Sequence, residues 1–154
     1  MLAALDAVGL RAWVAGGWGV DALLGRQTRV HRDLDLALDV TQADLDLAIG
    51  ALGLLGYGVE TDWRPTRVEL AAPSARWVDL HPVVFDEQGT GWQVDVDDLP
   101  PFRYPPEAFT AGSIDGSVVR CLSVAQQLLF HRGYPPRSHD LVDIALLERL
   151  RERT

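Results

Sequence analysis

Asp33 and Asp35 stand one residue apart in His31-Arg32-Asp33-Leu34-Asp35, and a third acid, Asp79, lies within Arg76-Trp77-Val78-Asp79-Leu80-His81-Pro82. The run Gly16-Gly17-Trp18-Gly19 precedes all three. Side chains on a strand return to the same face every second residue at a rise of ~3.3 Å, so Asp33 and Asp35 project together, with about 6 to 7 Å between their backbone positions. Carboxylates at that spacing can converge on hard divalent cations, and a pair of such ions ~3.5–4 Å apart serves phosphoryl transfer. A glycine-rich turn lets backbone N–H groups approach phosphate closely. Arg29, His31 and Arg32 add positive charge beside the acids, where a triphosphate tail would be neutralised. A bare Asp-x-Asp reads as the solvated face of an edge strand. Here Asp79 shifts the balance, because a carboxylate inside so apolar a strand needs a reason to be buried. The combination points to phosphoryl or nucleotidyl transfer from a metal-bound nucleotide.

Several chemistries are excluded by composition. All 14 basic residues are Arg, so no mechanism here depends on a lysine, neither a Walker-type phosphate loop nor a Schiff base. The net charge of −8 argues against a nucleic-acid-binding surface, which needs clustered cations, and suits a cationic small substrate. The single cysteine, Cys121, lies in the alternating segment Val118-Val119-Arg120-Cys121-Leu122 and reads as a core residue. Asp6, Asp21 and Asp44 interrupt every run that might span a bilayer, and the N-terminus lacks a secretory pattern. A cytoplasmic protein with no membrane contact is expected.

The elements that must position these residues follow from periodicity. Leu2, Leu5 and Val8 predict a short helix ending at Gly9, and residues 12–15 a buried strand running into the glycine turn at 16–19. Val20, Leu23 and Leu24 give a short helix stopped by Gly25. Residues 33–40 alternate cleanly, with Leu34, Leu36, Leu38 and Val40 opposite Asp33, Asp35, Ala37 and Asp39. Thr41 caps a helix over about 42–55, and strands follow at about 58–62, 66–71, 76–85 and 92–96. The prolines at 100, 101, 105 and 106 predict a surface crossover over 99–108 rather than a strand. A hairpin around Ile114-Asp115-Gly116-Ser117, a helix capped by Ser123 and broken by Gly133, and a last helix over 140–151 complete the chain. The fold class is α/β (α+β): a mixed sheet with flanking helices and two short C-terminal helices. Residues 1–99 form the catalytic core and 100–154 a C-terminal crossover and helical segment, together one compact unit.

Five motifs occur in order: 13–21 (WVAGGWGVD), 31–35 (HRDLD), 63–70 (WRPTRVEL), 78–82 (VDLHP) and 125–134 (AQQLLFHRGY). In them the chain resembles the small lincosamide nucleotidyltransferases, within the wider group that includes aminoglycoside 2″-adenylyltransferases. The likeness runs from about Trp13 to Leu147. It implies a nucleotidyltransferase fold of the DNA polymerase β type, Mg²⁺ dependence, ATP or another nucleoside triphosphate as co-substrate, and transfer of a nucleoside monophosphate to an antibiotic hydroxyl. By matching motif, Gly16, Gly17 and Gly19 would lie against the triphosphate, Asp33 and Asp35 would be paired metal ligands, and Asp79 the third acid.

Asp79 would act as a metal ligand, as the base, or as both. Glu69 is a second base candidate, weighed against a simple pairing with Arg67 on the same strand face. Trp18 and Trp63 are stacking surfaces or packing residues; Arg29 and Arg32 are triphosphate contacts or solvated charges. Arg137, His139, Asp140 and Asp143 would touch nucleotide or cap the last helix, and His81 reads as a structural hydrogen bonder. Asp95, Asp97, Asp98 and Glu107 are acids available to a cationic acceptor. A chain this small implies a shallow acceptor pocket, which a homodimer would complete across its interface. Beside the lincosamide stand three other readings: an aminoglycoside acceptor, a minimal nucleotidyltransferase of the toxin–antitoxin type modifying protein or tRNA, and a non-catalytic nucleotide-binding module.

Overall fold

The structure, a computed structural model, describes residues 1–40, 42–94, 100–132 and 135–153. Its spine is one mixed sheet. β1 (Ala12–Val14) pairs antiparallel with β2 (Asp33–Asp39), which runs parallel to β5 (Arg76–Phe85). On the far side of β5 lie β4 (Arg67–Ala72) and the edge strand β3 (Gly58–Trp63), both antiparallel. On the far side of β1 the sheet is extended by β9 (Ser117–Leu122) and β8 (Phe109–Ile114), so the order is β3-β4-β5-β2-β1-β9-β8. Segments before and after residue 100 therefore share one sheet.

The alternation in β2 partitions the two faces as the sequence requires. Leu36 and Leu38 are fully buried in the larger core with Val78, Leu80, Val68 and Leu70. That core also takes Leu5 of α1 (Leu2–Ala7) and Leu45, Ala48 and Leu52 of α3 (Gln42–Gly53). Each such leucine contributes about 1.5–3 kcal/mol by leaving water. Opposite them, Asp33, Asp35 and Ala37 share a face with Asp79 and His81 of β5, because partners in a parallel ladder point the same way. Ala37 is buried there against Trp13, Val83, Tyr104 and Leu122.

That second face is covered, and the covering corrects one expectation. The Pro-rich stretch is not merely a crossover: β7 (Phe102–Tyr104) is a strand, paired antiparallel with β6 (Gly91–Gln93), which pairs with the end of β5. The prolines flank β7 without entering it, so its ladder keeps every N–H it needs. Tyr104 is buried by this pairing. Pro82 sits in β5 just past its last partner on β4, where only the β2 ladder continues. Residues 95–96, expected to prolong the strand at 92, lie outside the described residues, as do Asp97 and Asp98, the Thr41 cap and the helix-breaking Gly133.

A second correction concerns the glycines. They form no turn; α2 (Gly16–Leu24) begins at Gly16 itself and ends at Gly25 in the left-handed region, φ 67°. Glycine disfavours helix by about 1 kcal/mol against alanine. Tertiary contact overrides that preference, since a β-carbon on Gly19 would stand 2.1 Å from Nε2 of Gln127 and 2.9 Å from the carbonyl oxygen of Val14. α4 (Val124–Phe130), with Gln126 N donating to Ser123 Oγ, and α5 (Ser138–Arg151) pack Leu128 and Leu147 against Val20 of α2. The helix α5 starts two residues earlier than its apolar spacing suggested, and Asp140 accepts a hydrogen bond from the Arg137 N–H at 2.8 Å as its cap. Cys121 is a buried free thiol, and burial pushes it up to about 11.

Candidate active site

The strand register brings three acids to one place. Asp35 on β2 and Asp79 on β5 are direct neighbours in the parallel ladder, and Glu69 on β4 stands directly across from Asp79. Asp33 lies two residues earlier on the face of Asp35. Asp35, Asp79 and His81 each offer a ligand atom, all within 4.8 Å of one another. Asp33 is not one of this trio.

Asp79 is the most constrained of the acids. It is 5% exposed, its Oδ2 meets the Arg67 guanidinium at 3.3 Å, and its Oδ1 is buried with no hydrogen-bond partner. Burial pushes its carboxyl up to about 6 against the pull of Arg67, with repulsion from Asp35 and Glu69 adding to the rise. A buried carboxylate oxygen without a partner, beside a second carboxylate, fits a hard divalent cation. Arg67 is thus tied to Asp79, not to Glu69 on its own strand, whose carboxylate accepts from the Thr61 hydroxyl at 3.3 Å.

The start of α2 lies against this group. A β-carbon on Gly16 would stand 2.0 Å from Oδ2 of Asp35, and one on Gly17 would stand 2.3 Å from Nδ1 of His31 and 2.7 Å from an Arg29 Nη. The His31 side chain is 2% exposed; its Nε2 meets Asp21 at 2.5 Å, while its Nδ1 is buried without a partner. Asp21 is held in turn by the N–H and hydroxyl of Thr28. Arg29 is anchored by Asp143, buried in the second turn of α5, at 2.7 Å. Backbone N–H groups, the positive end of the helix, a guanidinium and a buried imidazole nitrogen therefore meet at Gly17. Arg32 and Trp18 are placed differently. Arg32 is exposed, with its guanidinium 5.3 Å from the centre of the Trp77 ring. Trp18 packs on the His31 ring at 4.9 Å and on the main core.

Next to Asp35 opens a cavity of about 390 Å³ with aromatic walls from Trp63, Phe102, Tyr104 and Phe130. Trp63 is 55% exposed and carries the Arg67 guanidinium 4.4 Å from its ring centre. Gln93, His81, Gln127 and His131 supply polar atoms. Of these lining residues, sequence reasoning had given no role to Gln93, Tyr104, Gln127 or Phe130. Two buried glutamines in succession on an otherwise apolar helix, Gln126 and Gln127, were a signal for one of them; Gln127 donates to the Gly16 carbonyl at 3.3 Å. Gln93 and Tyr104 carry no such local mark. Glu107 lies away from this cavity, on the 3-10 turn Pro106–Ala108.

The start of α2 and the aromatic cavity both border Asp35, an arrangement suited to transfer of a phosphoryl group to a small acceptor. Comparison with known proteins agrees. The family profile described as aminoglycoside-2″-adenylyltransferase matches residues 1–147, and the chain belongs to that family. A lincosamide resistance protein of Staphylococcus haemolyticus is 33% identical over 136 residues, 88% of this chain and 83% of that protein. Among solved structures, the lincosamide antibiotic adenylyltransferase LnuA in its lincomycin-bound form superposes with a TM-score of 0.85 at 31% identity, covering 97% of this chain and 92% of that one. ANT(2″)-Ia with adenylyl-2″-tobramycin shares the fold, with a TM-score of 0.72 at 23% identity over 99% and 91% of the two chains. Membership implies a nucleoside triphosphate co-substrate and a divalent metal. No helix among the described residues is long and apolar enough to cross a membrane.

Proposed function

We propose that this protein transfers the nucleoside monophosphate of a triphosphate, ATP in the first instance, to a hydroxyl of a lincosamide antibiotic in the cytoplasm. The observation that carries the reading is the adjacency of Asp35 and Asp79, with Asp35 lining an aromatic cavity. Mg²⁺ held by Asp33, Asp35 and Asp79 would offset the charge that builds on the phosphates during transfer. The chain's own groups do the rest. Gly16 and Gly17 with Arg29 and His31 receive the triphosphate at the start of α2, whereas Gly19, expected beside them, is buried with its N–H on the Ala15 carbonyl and packs against Gln127. Arg32 and Trp18 border that region. The cavity orients the acceptor so that its oxygen bonds to the α-phosphorus as the bond to pyrophosphate breaks. Its proton leaves to a carboxylate on the same face, Asp79 or the facing Glu69, and comparison of Asp79→Asn with Glu69→Gln separates the two.

Residues 1–99 supply the acids and the phosphate site, and the segment after 100 works with them as one unit. The acceptor is read from charge. Among the described lining residues Asp35 is the sole carboxylate, set against Arg67, His81 and His131. That balance suits a lincosamide, with one amine and much apolar surface, better than a polycationic aminoglycoside. A second copy of the chain would deepen the cavity, and light scattering at working concentration should then give twice the mass of one chain.

The decisive assay incubates the protein with lincomycin, clindamycin and several aminoglycosides, each with the four nucleoside triphosphates and Mg²⁺, and reads product mass. A lincosamide gaining one nucleoside monophosphate is the expected result. Modification of aminoglycosides alone would overturn the acceptor, and no transfer to any drug would overturn the reaction.

A further inference from the structure

A chain of hydrogen bonds runs from the small second sheet into the acid cluster. The Tyr104 hydroxyl donates to Oε1 of Gln93 at 2.5 Å; both side chains are buried. Gln93 Nε2 donates to the carbonyl oxygen of Thr66 at 3.1 Å and faces Nδ1 of His81 at 3.2 Å. His81 Nε2 faces Oδ1 of Asp35 at 3.4 Å.

The polarity of this chain is fixed by chemistry. A carbonyl oxygen only accepts, so the Gln93 atom on Thr66 must be the NH₂ group, and the amide cannot be flipped. Burial pushes the Tyr104 phenol far up, which keeps it an O–H donor to the remaining Gln93 oxygen. An NH₂ group set against Nδ1 requires a lone pair there, so the proton of the neutral imidazole sits on Nε2. There it points at a carboxylate, which can only accept.

We propose that Gln93, steadied by Tyr104, is a positioning residue of the transfer site: it holds His81 as its Nε2–H tautomer, which donates to Oδ1 of Asp35 and leaves Oδ2, the oxygen beside Gly16, to serve the cation. Both nitrogens of His81 are then committed to hydrogen bonds, so His81 orients a ligand and is not one itself. Outer partners of this kind change metal affinity or activity by about 10- to 100-fold when removed. The assignment of Asp35 as a ligand rests on the nucleotidyltransferase reading, whereas the tautomer does not.

The test is long-range ¹H–¹⁵N NMR of the full chain at mildly alkaline pH, without nucleotide or drug. His81 should show a protonated Nε2 and a bare Nδ1. Gln93→Glu keeps the size of the side chain but replaces the donor with an acceptor, and should place a proton on Nδ1. Tyr104→Phe leaves the Thr66 contact in place and should keep the wild-type tautomer with a broadened signal. Mn²⁺ titration of the neutral Gln93→Leu variant, followed by its paramagnetic effect, should give affinity lower by about 10-fold or more. A wild-type His81 with Nδ1 protonated, or a Gln93→Glu variant with an unchanged pattern, would overturn the relay. Unchanged Mn²⁺ affinity in a folded Gln93→Leu would overturn its consequence for Asp35. Loss of drug modification with the NMR pattern intact would instead indict the function proposed above.

Discussion

Gly16 is packed directly on the carboxylate of Asp35: a β-carbon at residue 16 would stand 2.0 Å from Oδ2 and 2.9 Å from Cγ. Gly16 also has φ 56°, a left-handed conformation that costs other residues about 1–2 kcal/mol. Gly16→Ala should therefore combine modest destabilisation with displacement of the carboxylate that faces Asp79. The expected outcome is a Tm lower by a few degrees and a kcat lower by about 100-fold or more, read by calorimetry and by product mass. An active Gly16→Ala enzyme would show that Asp35 does not need its present position.

Asp79 makes the metal-free protein sensitive to pH in a direction opposite to most paired carboxylates. Its folded value of about 6 lies above the ordinary 3.8, so the folded state holds the proton more tightly than the unfolded chain. This favours the folded state fully below pH ~3.8, and the benefit is lost as pH rises through about 6, a change on the order of 3 kcal/mol. With chelator present, Asp79→Asn should melt higher than the parent at pH 7.5, and the two should converge toward pH 4. Adding Mg²⁺ should raise the Tm of the parent more than that of the variant.

Arg29, proposed above to meet the triphosphate, is tied to the fold through Asp143, which is almost fully buried. Arg29→Ala leaves that carboxylate uncompensated and should cost about 3 kcal/mol in urea unfolding. Replacing the pair with apolar residues, Arg29→Met with Asp143→Leu, should recover most of the stability. The KM for nucleotide should stay raised by about 10-fold, because the positive charge at Gly17 is still gone. Recovery of KM together with stability would assign Arg29 a purely architectural part.

Gly112 offers a control remote from the chemistry. A β-carbon on it would lie 2.3 Å from the carbonyl oxygen of Ala22 and 2.5 Å from the carbon of the same carbonyl, both backbone atoms of α2. Neither can rotate aside, so Gly112→Ala should cost about 2–3 kcal/mol by denaturant midpoint. Activity per folded molecule should be retained at low temperature.

What the amino-acid order made legible was local in origin. The alternation of 33–40 placed Leu36 and Leu38 inside and Asp35 on the opposite face, and the apolar neighbours of Asp79 marked it as buried; both placements hold in the structure. Cys121 in the core and the Ser123 cap were read the same way. The glycine helix start was missed because its cause is distant: Asp35, His31 and Gln127 occupy the room that β-carbons would need. The strand 102–104 was missed because four prolines dominate its surroundings while the two ladder partners lie across a long connection. Gln93 and Tyr104 are invisible for the same reason, since their roles exist only once β6 and β7 have paired.

The pairing of β6 with β7 carries an evolutionary consequence. In the proposed reaction the triphosphate end of the site belongs to α2 and β2, whereas Phe102 and Tyr104, two of the cavity's aromatic walls, hang from a three-residue strand that pairs with β6, itself attached at the tip of β5. On that reading a change of acceptor asks only for a rewritten appendage, while α2 and β2 stay as they are. The hydrogen-bond chain through Gln93 sets the limit on such drift: the same appendage that chooses the drug also steadies Asp35, so a change of taste that disturbs it is felt at once in the chemistry.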